Sequence, residues 1–501
     1  MTFNSYSFIF AYLPVFLLGL FAIQKLYGNA VFGEKAVKLW ITVMSVLFFC
    51  GYGELSMEIF GLSILFNGLF AAYLTKKKPF MLIAILGNVA FLCLFKYNGN
   101  LVMPIAISFY TFQQIAYQVK LYKGEIEEFK LLDYLSYILF FPKIMQGPLA
   151  DYEKINDGIA GLSKKTVNSV DILNGLFLFT LGLSKKVLLS DVLGKAVNYG
   201  YSSLEGLTGL DAVIVAVCYS FQLYFDFSGY CDMAEGICKM MGMELQINFN
   251  APYIAKNISE FWDRWHITLT KFFTRYLYIP LGGSRRGAFR TYLNILVVFF
   301  VSGLWHGQGY TFIVWGLMHG VLMVLTRLFK GNGRKATKEK ADSGLVLKLK
   351  NAFKTLITFI YVTVAWVFFR ADTLLDALTV VKKMVTPSGY AGAHISIKLA
   401  ECFQMDEIWY VFKVTPIPKW TYGGYVCMWL ILIITVALVF RGKTAKMMAE
   451  SFEKRLSENM AEGAEQKKDV KLVCYTIILA GLFAWCVLSL GNVSTFLYVN
   501  F

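Results

Sequence analysis

Eleven apolar runs, each close to the length needed to cross a membrane, dominate this chain of 501 residues. They cover residues 8–24, 39–52, 59–74, 80–95, 172–189, 210–225, 292–305, 311–325, 356–369, 425–440 and 472–490. Hydrophobic residues make up 57% of the sequence, and its mean hydropathy of +0.55 is far above that of soluble globular proteins. A spanning helix needs roughly 20 residues, and several runs are short or interrupted by glycine. We therefore expect about ten or eleven spanning helices, together with tilted, re-entrant and interfacial ones lining a cavity. The predicted fold class is all-α, a polytopic membrane protein with negligible sheet.

Lysine and arginine predict which segments face the cytoplasm. The net charge is +15 at pH 7, with nine Lys or Arg in residues 327–354 and eight in 441–471. Both segments are predicted to be cytoplasmic loops that meet anionic lipid. Residues 371–420 then form an outward excursion, with an interfacial helix near residues 373–384. Since no basic patch lies within a soluble fold, the bilayer and not nucleic acid is the predicted partner. Residues 1–27 lack the basic region and cleavage site of a signal peptide, so we expect the first apolar run to be retained.

Two of the four histidines, His306 and His319, fall inside one apolar stretch. An ionisable group at membrane depth is costly, so it indicates function by default, and a neutral histidine there can act as a general base toward a hydroxyl. The alternative is a structural histidine bonded to a backbone carbonyl. On one straight helix the two would lie about 20 Å apart, too far for direct partnership. A chain reversal at residues 307–309, Gly-Gln-Gly, would bring them together, and this alternative stays open.

Further polar residues are concentrated in the middle third of the chain. Asp226 and Asp232 are six positions apart, which favours cavity-lining or helix-capping groups over a paired acid and base. Residues 258–273 predict one amphipathic interfacial helix, with tryptophan at the headgroup level. Within it, His266 is interpreted as a headgroup or structural contact in preference to a base. Arg285 follows a Gly-Gly turn, where it either holds a phosphate or carboxylate of an acyl donor or belongs to a cytoplasmic basic loop.

Several kinds of chemistry have no motif in this sequence. It contains no G-x-S-x-G, no P-loop and no H-E-x-x-H, so serine hydrolysis and ATP-driven pumping are unsupported. Cys231 and Cys238 share a helical face, but no histidine lies nearby to complete a zinc site. We expect no structural metal and no essential disulfide.

Seven motifs, taken in order, resemble the membrane-bound O-acyltransferase (MBOAT) superfamily. They are residues 104–113, 146–148, 224–233, 248–253, 260–266, 276–285 and 305–320. The branch that they resemble contains the bacterial alginate O-acetylases and the teichoic-acid D-alanyl transfer proteins. The resemblance is strongest over residues 100–325, and the rest of the chain follows by hydropathy.

The resemblance implies a single membrane domain over residues 1–501, with helices wrapped around a central tunnel in a bacterial cytoplasmic membrane. It implies that His319 is the catalytic histidine and His306 a second active-site residue. The residues predicted to line the tunnel or substrate are Asp226, Asp232, His266, Arg285, Trp305 and Trp315. No bound cofactor is expected, but a cytoplasmic acyl donor is required, either acetyl-CoA or an acyl-carrier thioester. The expected partner outside is an acetyltransferase or another polysaccharide-modifying protein.

Three functions remain open on the sequence. The favoured one is O-acetylation of an exported or cell-surface polysaccharide. D-alanyl transfer to teichoic acid is the alternative within the same branch, although this chain is longer than expected for that subgroup. A transporter or docking module for acyl groups, which makes no bond itself, is the non-enzymatic alternative. The intramembrane histidines and the lack of a visible internal repeat favour an enzyme.

The last eight residues, 494–501, include Tyr498 and permit two interpretations. A short aromatic tail is usually an interfacial anchor. The tail is also similar to the terminal aromatic motif of the alginate O-acetylases and of the small partner peptide of D-alanyl transfer, although Val499 replaces one aromatic. That similarity implies that Tyr498 carries the acyl group covalently, with a base such as His319 taking its proton.

Overall fold

The structure is a computed structural model. It describes residues 1–27, 32–165, 167–330, 344–392, 394–407, 410, 422–461, 470–492 and 494–497. The described part of the chain is helical and contains no strand. The helices that precede residue 250 are α1 Phe8–Tyr27, α2 Gly33–Cys50, α3 Glu54–Tyr73, α4 Lys78–Tyr97, α5 Ile107–Tyr122, α6 Leu131–Ile138, α7 Phe141–Ile144, α8 Tyr152–Leu162, α9 Ser169–Ser202 and α10 Gly209–Met241. Those that follow are α11 Ile258–Arg264, α12 Ile267–Phe273, α13 Ala288–His306, α14 Tyr310–Lys330, α15 Gly344–Arg370, α16 Leu374–Val385, α17 Ile397–Glu401, α18 Gly423–Phe440, α19 Ala445–Ala461 and α20 Val470–Ser489.

Ten helices within the described ranges are long and apolar enough to cross a membrane. They are α1, α3, α4, α9, α10, α13, α14, α15, α18 and α20. The predicted run 39–52 lies in α2, which is also helical but carries Glu34, Lys35 and Lys38 near its start. The chain is therefore an all-α, multi-pass membrane protein, which confirms the predicted fold class. The central tunnel stays a prediction.

The two basic segments contain helix as well as loop. In 327–354, α14 continues to Lys330 and α15 begins at Gly344, while residues 331–343 lie outside the described ones. The segment 441–471 contains α19, and its residues 462–469 are also outside the description. The cytoplasmic placement of both segments stays a prediction.

The helix predicted near residues 373–384 is present as α16. It begins with a reciprocal capping box, in which the Thr373 hydroxyl accepts from the Asp376 backbone N–H and the Asp376 carboxylate accepts from that of Thr373. These bonds satisfy N–H groups that have no partner inside the helix, and so they fix where α16 starts. The outward position of residues 371–420 remains a prediction.

The chain divides into two compact units. The first contains the described residues of Met1–Ser184, Phe227–Ile247 and Ala445–Asn500, and the second contains those of Lys185–Asp226 and Asn248–Thr444. In the first unit α19 packs its apolar face on α9, where the rings of Phe177 and Phe452 stack at 4.6 Å. The second unit contains α13 to α15 and, with them, both intramembrane histidines. The assignment of residues 1–501 to a single domain stays a prediction.

Candidate active site

The Gly-Gln-Gly break at residues 307–309 reverses the chain. It joins α13 and α14 into an antiparallel hairpin whose backbones touch where Gly303 of α13 meets Gly316 of α14. A Cβ added at Gly316 would lie 3.3 Å from the Cα of Gly303 and closer still to the carbonyl oxygen of Phe299. Only glycine permits this approach. It brings the His319 turn of α14 beside the middle of α13.

His319 is enclosed by aromatic rings from four helices and is fully buried. The rings with their centroid distances to the imidazole are Trp262 at 5.1 Å, Trp315 at 5.2 Å, Tyr361 at 6.0 Å, Trp366 at 6.1 Å, Phe299 at 6.3 Å and Phe261 at 6.4 Å. We call these six residues the aromatic cage. The Tyr361 hydroxyl donates to the carbonyl oxygen of Met318, at 2.7 Å, which ties α15 to α14 beside the histidine.

The aromatic cage and His319 contain buried nitrogen atoms that form no hydrogen bond with any described residue. Both ring nitrogens of His319, and the indole nitrogens of Trp262, Trp315 and Trp366, have no hydrogen-bond partner among the described residues. Buried polar groups are normally bonded, so these five atoms, two in the imidazole and three in the indoles around it, need an explanation. The alternative of a structural histidine bonded to a backbone carbonyl thus finds no such bond for His319 among the described residues. The arrangement suits polar reactants, because indole N–H groups donate and a neutral imidazole accepts at one nitrogen.

His306 is the last residue of α13, and its imidazole contacts the same indole, Trp315, as that of His319. Its imidazole lies 4.9 Å from Trp315, edge-on, and 4.5 Å from Trp305. The hairpin thus removes the separation expected on a straight helix and places both histidines against the same indole. Trp305 and Trp315 are buried at this junction, and their role in lining a tunnel or substrate stays a prediction.

The single interfacial helix predicted over residues 258–273 is wrong. The chain forms two short helices, α11 and α12, which are broken at His266, whose φ is +43°. Asn248 stabilises this break, since its side-chain oxygen accepts from the backbone N–H and the hydroxyl of Thr268 and lies 3.2 Å from His266 Nδ1. Trp262 and Trp265 are buried against other aromatic rings and do not lie at a headgroup surface.

His266 contacts Asn248 at this break, and its interpretation as a headgroup or structural contact in preference to a base stays a prediction. It is buried beside Asn248, and burial lowers the pKa of its imidazole to about 3. The histidine is therefore neutral at physiological pH.

Asp226 is held by a cation. It is fully buried in α10, and its carboxylate lies 2.8 Å from Lys186 Nζ, which is also 2.9 Å from Asp191. Helix capping is wrong for both Asp226 and Asp232, because α10 extends unbroken from Gly209 to Met241. Asp232 is only partly buried, and its role in lining a tunnel stays a prediction.

Of the two remaining predicted positions, only Arg285 lies among the described residues. Arg285 is exposed in the turn before α13, about 20 Å along that helix axis from the Phe299 turn. A donor-binding role for it remains a prediction. Tyr498 lies outside the described residues. The nearby Phe496 is buried in the first unit, with its ring 5.3 Å from that of Tyr230.

The cage residues Trp366, Tyr361 and Phe299 had no motif of their own in the sequence. They stand in apolar runs, where an aromatic residue predicts only a buried or lipid-facing position. Finding them would have required knowing that α13 and α15 both pack against α14. Within the described ranges, no group of three His, Cys, Asp or Glu side chains is placed to hold a metal ion.

Comparison with known sequences identifies the family. The MBOAT, membrane-bound O-acyltransferase, family matches residues 100–368, just over half of the chain. The peptidoglycan O-acetyltransferase of Helicobacter pylori is 35% identical over 449 residues, which cover 80% of this chain and 83% of that protein. The chain belongs to the membrane-bound O-acyltransferase family. The family resemblance drawn from the sequence is thereby confirmed, and the protein is an O-acyltransferase.

Two further relatives of this membrane-bound O-acyltransferase differ in coverage. A probable alginate O-acetylase of Pseudomonas aeruginosa is 33% identical over 403 residues, 75% of this chain and 73% of that protein. The teichoic acid D-alanyltransferase of Bacillus subtilis is 29% identical over 249 residues, 47% of this chain and 62% of that protein. The likeness to the two acetyl-transferring proteins thus extends over much more of the chain.

Proposed function

We propose that this O-acyltransferase moves an acetyl group from a cytoplasmic donor across the bacterial cytoplasmic membrane for O-acetylation of an exported or cell-surface polysaccharide. The observation that carries the proposal is the buried His319 with its ring of donor groups. The acyl group and the acceptor class are inferred from two relatives, which are named for acetyl transfer to peptidoglycan and to alginate.

In the proposed reaction His319 acts as the general base. One neutral ring nitrogen takes the proton of an attacking hydroxyl, and the hydroxyl oxygen bonds to the carbonyl carbon of an acetyl thioester. The negative charge that develops on the carbonyl oxygen accepts from indole N–H groups of Trp262, Trp315 and Trp366, which are fixed in place before the reaction. The carbon–sulfur bond then breaks, and the imidazolium returns its proton to the leaving thiolate. The products are the acetyl ester and the free thiol.

Labelled donors test this function directly. Inside-out membrane vesicles containing the protein, its outer partner and polysaccharide would receive either labelled acetyl-CoA or an acetylated acyl carrier protein. We expect ester-linked acetyl label on the polysaccharide inside the vesicles, released by mild alkali. Label that crosses the membrane without joining the polysaccharide would support the transporter alternative instead. Transfer of D-alanine from its carrier thioester, without transfer of acetyl, would support the teichoic-acid alternative.

Tyr498 is the proposed intermediate carrier of the acyl group. If its phenol takes the acetyl group and passes it to the next hydroxyl, Tyr498→Phe should lower acetylation of the polysaccharide while hydrolysis of the donor persists. The variant keeps the aromatic anchor and removes only the hydroxyl. Mass spectrometry of the C-terminal peptide, after incubation with labelled donor, should find the acetyl group on the wild-type peptide alone. Undiminished acetylation in Tyr498→Phe would leave the tail as an anchor.

A further inference from the structure

Three buried lysines of this protein are each held by two carboxylates. The sets are Lys38 with Glu34 and Asp133, Lys120 with Asp151 and Glu153, and Lys186 with Asp191 and Asp226. The carboxylates neutralise the lysines, and a buried ammonium group without such a counter-charge is strongly destabilising. Lys143, in the first unit, is as deeply buried as any of them, yet it forms no ion pair with a described residue.

The surroundings of Lys143 are polar. Its amino group donates to the side-chain oxygen of Gln113, and it lies 3.8 Å above the ring of Tyr137. The amide nitrogen of Gln113, and both the amide nitrogen and oxygen of Gln146, have no hydrogen-bond partner among the described residues. Lys143, Gln113 and Gln146 are each at most 2% exposed. Lys143 and Gln113 therefore meet in a buried place, and Gln146, three residues after Lys143, adds two buried amide atoms without a partner among the described residues.

The backbone around Lys143 forms a tight turn after the short helix α7. Pro142 lies in the first turn of α7, and the Gly147 backbone N–H donates to the Lys143 carbonyl oxygen at 3.1 Å, which closes a tight turn. A side chain at Gly147 would collide with the Lys143 backbone, so the turn requires glycine. The Phe141 backbone N–H donates to the Ser45 hydroxyl at 3.2 Å, and this bond attaches the start of α7 to α2. The turn thus holds Gln146 beside Lys143.

We propose that Lys143, Gln113 and Gln146 form a buried binding site for the carboxylate group of a small ligand. Burial lowers the pKa of the Lys143 amine well below its ordinary value, and a bound carboxylate would restore the ammonium form by supplying the missing charge. The lysine and the two amide NH₂ groups match the two oxygens of a carboxylate. A phosphate would bring a second negative charge that one lysine cannot neutralise, and an unpaired buried charge is destabilising. This site belongs to the first unit and His319 to the second, so the inference does not depend on the proposed reaction.

Thermal unfolding of the full-length protein in detergent micelles, followed by intrinsic fluorescence, tests the site. Acetate serves as the probe, with chloride and phosphate compared at the same ionic strength. A ligand that binds only the folded state raises the melting temperature as its concentration rises. We expect acetate to do so and chloride and phosphate not to. Lys143→Met, which keeps the length of the stem, should weaken the apparent affinity for acetate at least about tenfold, the size expected for one charge-assisted hydrogen bond.

Matched variants make the result decisive. Lys130→Met removes an exposed lysine of the same unit and should keep the full acetate response. His319→Ala should keep it as well, which separates this site from the proposed active site. Gln146→Met should weaken the response, and it decides the question if Lys143→Met does not fold. An unchanged response in Lys143→Met, an equal response to phosphate, or no acetate effect in the wild type would each overturn the proposal.

Discussion

Replacing His319 with alanine is expected to lower acyl transfer about 10²–10⁴-fold, the contribution typical of a positioned general base. The protein should still fold and insert, because the imidazole makes no hydrogen bond with a described residue that its removal would break. The measurement is the initial rate of labelled acetyl transfer in the vesicle assay, normalised to folded protein by size-exclusion chromatography.

A matched control is available in the same chain. His394 is exposed, and among the described residues its ring bonds to the Gly392 carbonyl alone, at 2.9 Å, so His394→Ala should transfer acetyl at the wild-type rate. Trp366→Phe provides a graded comparison, because it keeps a ring in the aromatic cage and removes one indole donor. Its rate should lie between those of the wild type and His319→Ala. Wild-type transfer by a well-folded His319→Ala protein would show that the base lies elsewhere.

The membrane fold was predictable from hydropathy alone, because every spanning helix must present an apolar surface to lipid. The runs 172–189 and 210–225 indicated helices in the right places but not their lengths. Polar and charged residues continue these helices to Ser202 and Met241, respectively. They are tolerated there because buried partners such as Lys186 and Asp226 neutralise one another. Hydropathy cannot foresee that pairing, since it scores each residue without its neighbours.

Only part of the candidate site could be predicted from the sequence. His306 and His319 were noticeable as ionisable residues in an apolar stretch, and the glycines between them indicated that a reversal was possible. The break at His266 was not visible, because it depends on Asn248, eighteen residues earlier, whose side chain stabilises the turn. Periodicity therefore predicted one continuous helix there. The cage depends on contacts between α11, α13, α14 and α15, which no local pattern encodes.

Lys186→Met is expected to lower the free energy of unfolding by about 3–5 kcal/mol, the effect of breaking a buried ion pair by removing one partner. The lysine is 2.8 Å from Asp226 and 2.9 Å from Asp191, and both carboxylates are largely buried. Without the cation, two like charges remain close together at low dielectric. Asp226→Asn should be milder, because Lys186 then still faces Asp191 and the pair is neutral. The measurement is the thermal midpoint of each purified variant in the same detergent.

Lys195 provides the control for Lys186, since it is a lysine of the same helix, α9. Its partner Asp406 is 3.8 Å away, and the two side chains are 43% and 66% exposed. An exposed pair of this kind contributes about 0–1 kcal/mol, so Lys195→Met should unfold close to the wild-type midpoint. The order of stability is therefore expected to be Lys195→Met above Asp226→Asn, and both above Lys186→Met. If Asp226→Asn proved as unstable as Lys186→Met, the hydrogen bonds of Asp226, and not the balance of buried charge, would hold α9 and α10 at this level.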